Sequence, residues 1–472
     1  MNLGSRSCSG PLTRRTALKL GTMGIGGLGL GDIWRLQSQA AASSSIRDRS
    51  VIFAWMPGGP PHMEMYDLKP DAPSEYRGDF KPIDTTVPGL QVGELLPLQA
   101  KLAKRFNVIR SIAHQFADHG GGHKRFMTGR DPKEPTGFVN DYPALPSMIA
   151  RLAGERHRGM PNYVCGTDAG RSGIDVFSFG SAYLGPAAHP FMVVGTPGDK
   201  DFQLPSLAPL PGLDGRMQDR VALMQHFDRM RRSLDSSGTL AAMDEFNRKA
   251  LDMISSDSAR RAFDLSLESD ELRDRYGRNA YGQRLLMARR LVEAGCTFVT
   301  AVIEHPQPGN TPKYGCYNWD SHAVNCHMFD DARWRMPLYD QAITALIEDI
   351  YNRGLDRRVL LVVTGEFGRT PRINYQMGTQ TGVMQPGRDH WCIAMSLIVS
   401  GGGMRTGQVI GATNAKGEHP IERPMTPNDL WATVLSFLGI DAGHAFPDHA
   451  GRPMPILSDG KPIPELLPAS VA

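Results

Sequence analysis

The 472-residue chain carries a formal net charge of +3 with 21% charged residues, an ordinary balance that offers no electrostatic footprint for nucleic acid. Its length exceeds the ~250–300 residues at which single cores stop growing, so a large domain with insertions, or two lobes, is expected. Thirty-five prolines and 51 glycines place much of that length in loops.

The N-terminus reads as a signal. A polar start ends in Thr13-Arg14-Arg15-Thr16-Ala17-Leu18-Lys19, an uncharged stretch runs from Leu20 to Gly31, and Ala40-Ala41-Ala42 follows as a cleavage site. Paired arginines before Leu18 and Lys19 point to the twin-arginine route and its export machinery. The apolar stretch is too short and glycine-rich to span a bilayer, which needs ~20 residues. The expected mature protein, residues 43–472, is therefore periplasmic or extracellular, exported folded, with no stable membrane span. Five cysteines remain after the signal, Cys165, Cys296, Cys316, Cys326 and Cys392, at spacings that match no zinc motif. An oxidising compartment permits disulfides, and Cys316 and Cys326 are nearest in sequence. Burial as small apolar residues is the competing reading.

The mature chain opens with the continuous apolar run Val51–Met56, which breaks at Pro57-Gly58-Gly59-Pro60-Pro61 and reads as a buried strand. Similar runs lie at Phe106–Ile109, Phe298–Ile303, Val359–Thr364 and Ile393–Val399. Helical patterns fall between them, at Leu95–Lys104, Ala144–Leu152, Leu338–Arg353 and Asn428–Leu438. This alternation predicts a mostly parallel sheet covered on both faces. Residues 215–293 interrupt it with long 3.6-period stretches and are expected to form a helical insertion.

Ligands in open α/β sheets bind beyond the carboxyl ends of the strands. Polar residues gather there. His62, Glu64 and Asp67 follow the first run; Arg110, His114, His119 and His123 follow the second. Glu304, His305, Asp320 and His322 follow the third, Glu366 and Arg369 the fourth, and Arg388 and His390 precede the fifth. Imidazole with carboxylate suits Zn or Mn, and such an ion activates water or polarises an ester oxygen. Arg369, Arg388 and Arg110 are candidates to hold an anionic substrate. Any one of these residues alone reads as a turn residue or cap; the accumulation makes the metal argument. No Gly-x-Ser-x-Gly or His-Glu-x-x-His supports a serine hydrolase or a metalloprotease.

The stretches GGPPHMEMYDLKPDAPSEYRGDF, LPLQAKLAKRFNVIRS, YGQRLLMARRLVEAGCTFV, NWDSH, LVVTGEFGRTPRIN, GRDHW and PMTPNDLWATVLSFLGID resemble the exported bacterial family DUF1501. That family is regarded as part of the alkaline phosphatase and sulfatase superfamily. The resemblance implies a three-layer α/β/α sandwich with a site for one or two metals. The superfamily nucleophile stands nine residues before a Thr-Gly step. Here the step matches Thr128-Gly129 and the nucleophile position holds His119. The Asp-His pair after a buried strand becomes Glu366-Phe367, and phenylalanine binds no metal. The first strand ends in Pro57-Gly58-Gly59 where the superfamily has a metal-binding Asp. Asp320, His322 and His390 match the remaining metal set in order, with Asp and His two apart where the superfamily has four.

These observations carry two expectations. One is a metal-dependent hydrolase of phosphate, sulfate or related esters, small or polymeric. In it Asp320, His322 and His390 hold the ion, and Glu366 is a further ligand or general base. His119 or His123 is then nucleophile or general acid, and His62, Glu64 and Asp67 are a rebuilt second site. The other is a non-catalytic descendant that binds a glycan or sulfated polymer or serves in assembly.

Overall fold

The computed structural model describes residues 48–467 apart from 155, 158, 172, 174–176, 201, 203 and 205–255. The expected signal at 1–42, and 215–255 of the expected helical insertion, lie outside the described residues.

Among the described residues, eight strands form one sheet. They are β1 (Ser50–Trp55), β2 (Phe106–Ile112), β3 (Tyr163–Thr167), β4 (Phe191–Val194), β5 (Phe298–Val302), β6 (Val359–Thr364), β7 (Met395–Gly401) and β8 (Val409–Ile410), in the spatial order β8-β2-β7-β6-β1-β5-β3-β4. Strand β1 is central and parallel to both neighbours, with Val51 opposite Phe298 on one side and Leu360 on the other. Strand β7 runs antiparallel to β6 and β2; every other pairing in the sheet is parallel.

The period of two within β1 explains the three layers. Val51, Phe53 and Trp55 join a core with Phe126, Trp431 and Leu435. Ile52, Ala54 and Met56 join another with Leu285, Ile343 and Leu346. Helices α1 (His119–Thr128), α2 (Leu145–Ala153) and α5 (Pro427–Leu438) supply the first face; α3 (Ala280–Glu293) and α4 (Met328–Asn352) supply the second. The fold is thus a three-layer α/β/α sandwich on a mostly parallel sheet. Residues 280–293, the end of the stretch expected as an insertion, are helix α3, packed within that core.

Helix α4 begins ten residues before the start expected from periodicity and runs through Pro337. His327 caps its N-terminus, accepting from the Asp330 N–H. All five described cysteines are free and buried. The Cys316 thiol faces the Asp320 carbonyl at 3.2 Å. No described helix is long and apolar enough to cross a membrane.

Candidate metal centre

Three segments at the carboxyl edge of the sheet meet at one point. Asp320 and His322 lie on the loop between β5 and α4. His390 lies just before β7, in a two-residue ribbon whose partner is Gly368–Arg369, after β6. Asp320 Oδ1 is 3.0 Å from His322 Nε2 and 3.0 Å from His390 Nε2, and the two Nε2 atoms are 3.0 Å apart. Ligand atoms of a tetrahedral zinc ion, with bonds of ~2.0–2.1 Å, stand about 3.3 Å apart.

The protons around this triangle can be assigned from chemistry. His390 Nδ1 is 2.6 Å from the Ala117 carbonyl, which can only accept, so Nδ1 carries the hydrogen. His322 Nδ1 is 2.6 Å from the Asp389 carboxylate, which fixes its tautomer in the same way. In the neutral rings both Nε2 atoms therefore present lone pairs to one another and to Asp320 Oδ1. Burial, outweighing the Asp320 carboxylate, lowers the His390 pKa and favours the neutral ring. Three converging lone-pair donors repel unless a cation lies between them, so the residues present fit a divalent ion.

Helix α1 supplies the adjoining groups. Asp118 caps it, accepting from the Gly120 and Gly121 N–H groups, and Gly129 closes it in the left-handed conformation at φ 67°. The Thr128-Gly129 step thus ends the helix whose first residue is His119. His119 and His123 are one turn apart and share a face. His119 Nδ1 is 3.0 Å from Glu366 Oε1 and its Nε2 is 3.5 Å from Asp320 Oδ2; His123 Nε2 is 3.1 Å from Glu366 Oε1. His119, Asp320 and His390 form one group able to hold a metal ion; His119, His123 and Glu366 form another.

Three consecutive glycines allow this approach. A methyl on Gly120 would sit 2.1 Å from the Gly137 carbonyl oxygen, and one on Gly122 would sit 2.9 Å from the Phe367 ring. Each glycine costs a helix ~1 kcal/mol relative to alanine, so the sequence accepts a poor helix to seat both imidazoles on Glu366.

Burial alone would penalise charge on His119, Asp320 and Glu366, but partners win. Burial disfavours the His119 imidazolium; hydrogen bonds to Asp320 and Glu366 outweigh it and raise its pKa to about 10. Burial would raise the Asp320 pKa, yet His119 and the Arg369 guanidinium hold it far below the usual carboxylate range. Glu366, fully buried, is likewise held low by His123 and His119. His119 stays 28% exposed at the side chain, so the centre is open on one side.

Apart from Arg369, which donates to Asp320 at 2.6 Å, the other expected site residues do not converge here. His62 is buried, its Nε2 3.1 Å from the Gly417 carbonyl. Glu64 pairs with Arg388 at 2.7 Å, and Asp67 with Lys69 at 2.9 Å and Arg110 at 3.7 Å. His62, Glu64 and Asp67 form none of the metal-holding groups found among the described residues. The three arginines are occupied internally. Arg388, fully buried, also donates to the Tyr76, Thr370 and Pro371 carbonyls. Arg369 donates to the Gly58, Gly59 and Arg388 carbonyls and to Asp320. Arg110 donates to the Gln91 carbonyl. His114 donates from Nε2 to the Glu366 carbonyl at 2.6 Å and fixes that loop. Two supporting groups escaped the sequence reading. Asp389 orients His322, and its place immediately before His390 in GRDHW was the available signal. Asn325 holds Asp320 Oδ2 at 3.1 Å and has no comparable mark in the sequence.

Fold and site together define an α/β/α domain with an imidazole–carboxylate centre at its strand ends. The chain belongs to the family described as "Protein of unknown function (DUF1501)", whose model matches residues 48–467. No curated protein matches the sequence. Solved structures similar to it include a lipoteichoic acid synthase from Listeria monocytogenes, at 10% identity and TM-score 0.38, covering 85% of this chain and 74% of that one. A phosphonate monoester hydrolase from Silicibacter pomeroyi matches at 14% identity and TM-score 0.33, covering 79% and 72%. A sulfatase from Pseudoalteromonas sp. matches at 10% identity and TM-score 0.35, covering 85% and 72%.

Proposed function

We propose that this protein is an exported, metal-dependent hydrolase of phosphate, sulfate or related esters, working without the Ser, Thr or Cys nucleophile of its superfamily. The observation that carries the reading is the triangle of Asp320 Oδ1, His322 Nε2 and His390 Nε2, each 3.0 Å from the others. Those three residues would hold the ion, and their imidazole–carboxylate chemistry favours Zn or Mn. When bound, such an ion supplies Lewis-acid polarisation of an ester oxygen and lowers the pKa of water.

The chain's own groups do the rest. Asp389 and the Ala117 carbonyl hold the two imidazoles in the tautomer that leaves Nε2 free. Arg369 pins Asp320 at 2.6 Å. His119, at the nucleophile position and at the open side, carries a proton on Nε2 between solvent and Asp320. With both nitrogens engaged by carboxylates it is a proton donor to a departing alkoxide, and a poor nucleophile. Its positive charge also meets an anionic ester where Arg110, Arg369 and Arg388 cannot, being occupied elsewhere. Residues 1–42 fit this reading as a twin-arginine signal, because donors from strand ends far apart in sequence assemble only in a folded chain.

The test is metal analysis of the purified mature protein, then assays of aryl phosphate, phosphodiester and sulfate ester substrates with Zn and Mn. A stoichiometric ion and turnover, both lost in His322→Ala, are expected. Absence of a stoichiometric ion sinks the proposal; an ion without turnover on any substrate favours the binding descendant.

A further inference from the structure

We propose a second divalent-cation site, formed by His119 Nδ1, His123 Nε2 and Glu366, beside the first. It rests on the reading of Asp320, His322 and His390 as a metal centre and extends it. The superfamily pattern leaves the second position with Glu366 alone, because Pro57-Gly58-Gly59 and Phe367 offer no ligand side chain. Helix α1 offers two in their place.

The donor atoms already have metal-like spacing. Glu366 Oε1 lies 3.0 Å from His119 Nδ1 and 3.1 Å from His123 Nε2, and all three atoms fall within 4.8 Å of one another. Ions bound by such donors place their ligand atoms about 3.3 Å apart. The helix is shaped for this approach by Gly120, Gly121 and Gly122, where an added methyl would strike Gly137, Pro135 and Phe367 respectively.

An independent feature points to a missing cation. Among the described residues, every polar contact to the Glu366 carboxylate falls on one oxygen: the Gly58 N–H at 2.8 Å, His119 and His123 all meet Oε1. Oε2 is buried and has no hydrogen-bond partner among the described residues. A buried carboxylate oxygen with no donor is costly to leave so, and an ion bound by both oxygens removes the deficit. The ion would take the place of the hydrogen on His119 Nδ1 and supply the positive charge that the imidazolium carries in the metal-free protein, while Nε2–H stays directed at Asp320. His123, walled by Trp55 and Phe177, brings its ring to Glu366 from the dry side.

The experiment counts zinc per folded mature chain, after loading the metal-free protein and desalting, by elemental analysis. Two ions are expected in the wild type. His123→Gln and Glu366→Gln are each expected to lose one ion and keep the other, and His322→Ala to lose the complementary one. Cobalt loading gives a second readout: two resolvable visible spectra, one surviving in each class of variant. Near-ultraviolet circular dichroism verifies folding. Should His123→Gln fail to fold, the isosteric Glu366→Gln alone decides. One ion in the wild type, lost in His322→Ala and retained in Glu366→Gln, overturns the second site and leaves the first intact. Two ions that both survive Glu366→Gln also overturn it. No ion in the wild type overturns both readings.

Discussion

Two clusters of the same residue types follow the strand ends, and they are wired differently. Around His62, Glu64 and Asp67, each carboxylate meets a fixed cation: Arg388 on Glu64, Lys69 and Arg110 on Asp67. Around Asp320 and Glu366, imidazoles fill most of those places, four of them within reach of two carboxylates. A guanidinium neither gives up its proton nor ligates a metal, so the first cluster is structural, although Glu64 Oε2 too is buried without a hydrogen-bond partner among the described residues. An imidazole can exchange its proton for an ion. The partner of a carboxylate, more than the carboxylate itself, separates a buttress from a site.

The largest effect should come from breaking the closed cluster. Glu64→Gln leaves the buried Arg388 guanidinium without its counter-charge, and about 3–5 kcal/mol of stability should be lost in urea titration. The metal content of the molecules that fold should not change. A fall in metal content with unchanged stability would reverse the assignment of the two clusters.

A smaller effect is expected at the support of the open one. Asp389→Asn weakens the acceptor that fixes the His322 tautomer at 2.6 Å and should reduce zinc affinity by ~10–100-fold, with little change in the unfolding midpoint. Calorimetric titration giving wild-type affinity would remove Asp389 from the centre.

Smaller again is Gly122→Ala. Alanine raises helix propensity by ~1 kcal/mol, but its methyl would stand 2.9–3.0 Å from the Phe367 ring and 3.4 Å from Glu366 Cγ. Overpacking costs typically 1–3 kcal/mol, so a net loss of about 1 kcal/mol is expected in thermal melts. A gain in stability would mean that the helix does not need its close approach.

The mildest contrast is in pH, measured on the metal-free protein. His62 and His114 are buried and held neutral, with pKa lowered to about 4 by desolvation. Their contribution is present above the unfolded value of ~6.5 and is lost as pH falls through about 4. His119 is opposite in sign: raised to about 10, it contributes fully below ~6.5 and loses that contribution as pH rises through about 10. His119→Gln should therefore lower the melting temperature at acid and neutral pH and flatten its decline on the alkaline side.

Much of this was legible in the sequence. Continuous apolar runs located β1, β2, β5, β6 and β7, because strands buried on both faces have no polar alternation to hide them. The reversed direction of β7 was not legible: its run reads the same from either end. The Pro337 pattern hid the first turns of α4, since the helix continues through a residue that usually ends one. Asp320, His322, Glu366, His119 and His123 were all singled out by their positions after strands, and His390 by its place just before one. Which of them meet depends on the loops that carry them, so the grouping of Glu366 with the two α1 histidines appears only in three dimensions. The arginines mislead for a related reason. Sequence shows their charge but not the backbone carbonyls and carboxylates that enclose Arg369 and Arg388.

The central claim is that Asp320, His322 and His390 hold a metal ion. It is tested most directly by anomalous diffraction at the zinc edge from crystals of the mature protein grown with zinc. The account predicts a peak within bonding distance, ~2.0–2.2 Å, of Asp320 Oδ1, His322 Nε2 and His390 Nε2. A map with no peak among these three atoms, in crystals whose zinc lies elsewhere or is absent, would contradict it.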